Sequence, residues 1–155
     1  MSAQPSPGLQ ILPMHVSHLP RVVEIERKAY SFPWSEGIFM DCLRAGYSGW
    51  ALCTDGGDII GYSLMSMAVD EAHVLNLCIE PFSRRRGLGR MLLQHMIKLA
   101  RAANATIVLL EVRRSNKTAI QLYESQGFKR LGLRKGYYPA HDGREDALVL
   151  GFDIV

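Results

Sequence analysis

The chain has 155 residues, 48% of them hydrophobic and 21% charged, with a formal net charge of +3. That length and balance suit a single folded domain with a proper core and argue against disorder. The mild positive charge permits an anionic ligand but falls short of a general nucleic-acid binder, so no direct nucleic-acid contact is expected.

Residues 1–8, rich in Pro, Ser and Gly, predict a flexible tail, and residues 9–155 a single domain. GLQILPM reads as a short strand. Ser17 can cap a helix whose first turn tolerates Pro20, with Leu19, Val22, Val23 and Glu26 setting a helical rhythm. Phe32-Pro33-Trp34 form a loop, and Ser35 caps a second short helix. Two β-leaning runs around Asp55-Gly56-Gly57-Asp58 predict a hairpin, and AHVLNLCI a further strand ending at Glu80-Pro81. Leu92, Met96, Leu99, Ala100 and Ala103 then stripe one face of a helix, with His95 on its polar side. TIVLLEV is an almost unbroken apolar run, which predicts a strand buried on both faces. Ser115 or Asn116 caps a helix that passes Tyr123 and stops at Gly127. Two last strands, FKRLGLRKGYY and DALVLGFDI, flank a turn over Pro139–Glu145. The sum is one α/β domain with a mixed sheet.

Cys42, Cys53 and Cys78 are odd in number and far apart, which predicts free thiols and a cytoplasmic protein. The histidines, His15, His18, His73, His95 and His141, are scattered without metal-ligand spacing, so no metal is expected. No apolar run approaches membrane-spanning length and the N-terminus lacks signal-peptide order, so no membrane contact is expected.

The basic glycine turn Arg84-Arg85-Arg86-Gly87-Leu88-Gly89 precedes the striped helix. Glycines let backbone N–H groups converge on an anion, and the helix adds its positive end. A P-loop is excluded because no Lys-Ser/Thr follows, and a dinucleotide turn lacks its third glycine. The same turn could equally be a basic loop that merely starts a helix. Glu111 is a lone carboxylate near the end of an apolar strand, where Arg113 or Arg134 could pair with it. Tyr123 could pack against Leu122 and Phe128, and Asn116 could serve only as a cap.

Taken together, R-x-x-G-x-G after an apolar strand, a lone acid on the next strand, and N-x-x-A-x-x-x-Y-x-x-x-G-F resemble the GNAT acetyltransferase family. The resemblance implies the GNAT acyl-CoA N-acyltransferase fold, a mixed, mostly antiparallel central sheet flanked by helices. It implies acetyl-CoA as co-substrate, its pyrophosphate held by Arg85, Arg86, Gly87, Leu88, Gly89 and Arg90. The pantetheine arm would lie along the backbone of Leu77, Cys78 and Ile79 and near Asn116. Glu111 would be the proton acceptor, directly or through water, and Tyr123 the proton donor to the leaving sulfur.

FPWS, LEVRRSN, LYESQGF and YYPAHDGREDA narrow the resemblance to a branch that acetylates the N-terminal alanine of a small-subunit ribosomal protein, with matching segments over most of residues 19–150. A protein N-terminus is then the expected substrate, approached by direct attack in a ternary complex. A lysine side chain or small amine is the alternative. Phe32, Trp34 and Tyr138 would wall the groove, and Glu71, with Asp70, would attract the ammonium group. Core packing is the competing role for Phe32 and Trp34. Tyr30 stands where this branch suggests a histidine. A monomer is expected.

Overall fold

Apolar runs separated by turn residues build one seven-stranded sheet in a computed structural model, which describes residues 8–154. The expected tail lies outside these residues apart from Gly8, whose carbonyl accepts a hydrogen bond from Asp55 N–H. In chain order the elements are β1 (Leu9–Pro13), α1 (Leu19–Ala29), α2 (Glu36–Arg44), β2 (Ser48–Thr54), β3 (Ile59–Ala68) and β4 (Glu71–Ile79). They continue with α3 (Leu88–Ala102), β5 (Ile107–Arg113), α4 (Lys117–Ser125), β6 (Lys129–Ala140) and β7 (Gly143–Asp153). The strand order is β1-β2-β3-β4-β5-β7-β6. Every neighbouring pair is antiparallel except β4 and β5, which α3 joins as the crossover a parallel pair requires.

Helix starts follow local chemistry. Ser35 Oγ accepts from Ile38 N–H at 3.3 Å, and Asn116 Oδ1 from Ala119 N–H at 3.2 Å. Ser17 does not cap α1. A turn of 3-10 helix, Val16–His18, comes first: His18 holds the N-cap position of α1 without a side-chain cap bond, and its ring instead accepts from His15 N–H at 2.9 Å. Ala103 falls just beyond α3 and is exposed. The β6–β7 turn is shorter than the sequence predicts, because the strands run on to Ala140 and from Gly143.

The sheet is covered unequally. On one face α3 and α4 bury Leu93, Met96, Ile120 and Tyr123 against Val74, Val108, Leu110 and Leu150. On the other, α1 and α2 bury Val22, Ile25 and Phe39 against Ala51, Tyr62, Leu64 and Cys78. That second core takes nothing from β5, so β5 is not buried on both faces: Val108, Leu110 and Val112 are buried, while Ile107, Leu109 and Glu111 are only partly covered. His95, expected on the polar side of α3, is half-buried edge-on to Trp50, with ring centroids 4.6 Å apart.

One irregularity shapes the middle of the sheet. Leu64 pairs with Asn76 but Met65 with Val74, so Leu75 is the extra residue of a bulge in β4. On its other edge β4 pairs with β5 only over Glu71–Val74, against Ile107–Leu110. Past the bulge the two strands part, and a cleft opens between Leu75–Ile79 and the end of β5.

Candidate active site

One wall of the cleft is backbone. Glu80 N–H bonds to the Ile60 carbonyl at 2.8 Å. By the alternation of an antiparallel ladder, Cys78 then spends its amide groups on Tyr62, while Leu77 and Ile79 turn theirs toward the cleft. The Leu77 carbonyl takes the Tyr30 hydroxyl at 3.4 Å, and the Ile79 carbonyl takes Arg84 Nε at 3.2 Å. Of the three backbone positions expected to meet a pantetheine arm, the alternation therefore turns two into the gap.

The basic glycine turn closes the end of this wall. Arg85 and Gly87 both adopt left-handed conformations, with φ of 67° and 74°. Gly87 pays no steric cost for this, and Arg85 is an uncommon non-glycine case. The first bond of α3 runs from Met91 N–H to the Gly87 carbonyl at 3.1 Å, which leaves the amides of Leu88, Gly89 and Arg90 pointing out of the helix start. Arg85, Arg86 and Arg90 are exposed around them. A curled backbone, unspent amides and exposed cations are the features an anion cradle needs.

Across the cleft lies Glu111, its side chain only 9% exposed. Oε1 meets His73 Nε2 at 2.6 Å, and Oε2 meets Arg134 Nε at 3.2 Å. Arg134 is thus a pairing partner, as the strand-end reading allowed; Arg113 is not. Arg113 instead bonds Glu145 at 3.0 Å and the Pro139 carbonyl at 2.8 Å.

Tyr123 is buried on α4, its ring 5.8 Å from that of Phe128. Burial, then the neighbouring Cys78, pushes its phenol up to about 12, so it is protonated at neutral pH. Tyr138 is also pushed upward, by burial first and then by Glu111, with Tyr123 contributing as well. Tyr138 therefore neighbours both groups. Burial, then Cys78 and Tyr123, raises Tyr30 well above the ordinary phenol range. All three hydroxyls are therefore neutral at physiological pH.

The aromatic loop divides its duties. Trp34 packs on Phe39 at 5.2 Å, whereas Phe32 stays 39% exposed. Arg113 lies between Phe32 and Tyr138, its guanidinium 5.5 and 4.6 Å from the two ring centroids, and links the loop to the β6–β7 hairpin. Glu71 is not brought to this place. It pairs with Ile107, four strand positions before Glu111, and neighbouring Asp70 is occupied with Thr106.

Two residues here were not singled out as site residues in the sequence. His73 reaches Glu111 across 38 positions. Glu26, 2% exposed, accepts from Tyr62 OH at 2.7 Å, Asn76 Nδ2 at 3.0 Å and Trp34 N–H at 3.0 Å. The only sequence signal for Glu26 was an acid on the apolar rhythm of α1. Among the described residues no group of three or more His, Cys, Asp or Glu side chains is placed to hold a metal ion.

The model of the acetyltransferase (GNAT) family matches residues 19–128. The [ribosomal protein bS18]-alanine N-acetyltransferase of Escherichia coli K12 is 38% identical over 141 residues, covering 91% of this chain and 95% of that protein. The crystal structure of the ribosomal-protein-S18-alanine N-acetyltransferase from Escherichia coli superimposes with a TM-score of 0.87 at 37% identity, covering 94% of each chain. Arabidopsis thaliana NAA60, solved in complex with acetyl-CoA, shares the fold at a TM-score of 0.84 and 19% identity, covering 94% of this chain and 98% of its own.

Proposed function

This chain belongs to the acetyltransferase (GNAT) family, and on that premise we propose that it acetylates the N-terminal alanine of a small-subunit ribosomal protein. The observation that carries the reading is a set of three features: unspent amides and exposed arginines at the start of α3, a shielded carboxylate on β5, and a buried neutral phenol on α4. The similarity to the bS18-alanine N-acetyltransferase over 91% of the chain supports the choice of amine.

Acetyl-CoA supplies the acyl group as a thioester. Its pyrophosphate suits the turn from Arg85 to Arg90, where free amides and left-handed backbone fit a doubly charged anion. Leu77 and Ile79 offer backbone groups to an extended arm, and Asn116, which also caps α4, is proposed to meet that arm. Glu111 takes the proton that the substrate ammonium must lose before its nitrogen can attack. Tyr123, neutral at working pH, gives its proton to the departing sulfur. Phe32 and Tyr138, bridged by Arg113, form the wall that a peptide N-terminus would pass. Trp34 supports that wall from within rather than lining it.

Intact-mass measurement of acetyl transfer to synthetic peptides tests this. The expected result is one acetyl group on a basic peptide with a free N-terminal Ala, and none on the same peptide with its terminus blocked. Transfer to the blocked peptide would move the target to lysine, and transfer to polyamines alone would move it to small amines.

A further inference from the structure

Glu111 is largely shielded from solvent, and one of the two residues that shield it is able to carry a proton out. Its side chain is 9% exposed, and both oxygens are occupied. Arg134 on β6 is a permanent cation and cannot relay a proton. His73 on β4, 32% exposed, can, because its ring has two nitrogens, one against the carboxylate and one on the far side of the ring. The bulge at Leu75 follows two residues later, so His73 still faces the Glu111 side of the sheet. Other groups around it are few: Glu71 lies two residues back on the same side of β4, Ser66 pairs with it on β3, and Tyr138 approaches Glu111 from β6.

Resting on the proton-acceptor reading of Glu111, we propose that His73 is its positioning and proton-relay partner, the two working as one unit. At 2.6 Å the carboxylate fixes which ring nitrogen faces it and stabilises the imidazolium once formed. The substrate ammonium loses one proton to the pair, leaving a free amine. As the new C–N bond forms and the C–S bond breaks, the sulfur receives a proton from Tyr123, which the second nitrogen proton replaces through solvent. The pair then returns its own proton to water from the exposed edge of His73. One proton is released per turnover, as conversion of an ammonium and a thioester into an amide and a thiol demands.

The test compares His73→Gln, which keeps a donor for Glu111 but cannot titrate, with His73→Ala and Glu111→Gln. Rates are followed from about pH 5 to 9 with saturating acetyl-CoA. The expected result for His73→Gln is unchanged melting temperature and KM, kcat at neutral pH lower by about tenfold or more, and a displaced acidic limb of the pH–rate profile. Wild-type kcat and profile in His73→Gln, with Glu111→Gln slow, would overturn the relay while leaving the base in place. Full activity in Glu111→Gln would overturn the base reading, and the relay with it. His73→Ala should lose at least as much rate as His73→Gln; a faster His73→Ala would also overturn the relay.

Discussion

Tyr123 earns its proposed role from its surroundings rather than its type. Burial and the Cys78 thiol raise it to about 12, which keeps the donor form present through neutral and mildly alkaline pH. Tyr123→Phe should lower kcat by about 10- to 100-fold, leave acetyl-CoA affinity within about twofold, and remove any alkaline limb belonging to this phenol. Steady-state kinetics with a calorimetric titration of CoA would check all three. How far such residues could be read ahead depended on distance along the chain. Ser35 and Asn116 were legible as caps because each bonds an amide three residues away. Glu111 and Tyr123 stood out through motif resemblance. His73 did not, because nothing near it in sequence hints at a partner 38 positions on, and Glu26 meets Tyr62 and Asn76 at separations of 36 and 50.

Among the elements, the start of α3 and the inner face of α1 carry distinct loads. Gly87→Val meets no steric neighbour, since a Cβ there would find nothing within 4 Å, but its φ of 74° is hostile to a β-branched residue. The variant should remain folded and raise the KM for acetyl-CoA by about tenfold, matching roughly 1–2 kcal/mol of backbone strain at the cradle. Glu26 ties α1 to β3, to β4 beside the cleft, and to the aromatic loop through one carboxylate. Glu26→Ala leaves one buried and two partly buried donors without an acceptor. It should cost on the order of 3 kcal/mol and about 10 °C in melting temperature, read by thermal denaturation. Element order was readable from periodicity and turns. The alternating burial of β5 was not, because it reflects where α1 and α2 stop, a matter of layer width that no single strand encodes. The distance of Glu71 from Glu111 was not legible for a similar reason: the register that seats it opposite Ile107 is set by tertiary pairing.

For the whole molecule, ion pairs brace the sheet on either side of the gap. Arg21 on α1 bonds Glu80 at 2.6 Å and holds its carboxyl below the usual range. Ser115, and after it Arg113, does the same for Glu145 on β7. Carboxyls with lowered pKa contribute stability above the unfolded-state value, about 4.3, and lose it as pH falls through the folded-state value. The melting temperature should therefore drop as the solution is acidified below about pH 4.5. A Glu80→Gln/Glu145→Gln double variant, less stable at neutral pH, should show a shallower acid dependence in the same scan.

The parted strands have a consequence for how the molecule holds together. Only four ladder pairs, Glu71–Val74 with Ile107–Leu110, join the half-sheet β1–β4 edge to edge with β5–β7. An extended arm lying along Leu77 and Ile79 would act as a temporary suture across that seam. Each round of catalysis would then stitch the two halves and unpick them again, and the escape of the spent thiol would be as much a loosening of the protein as the loss of a product.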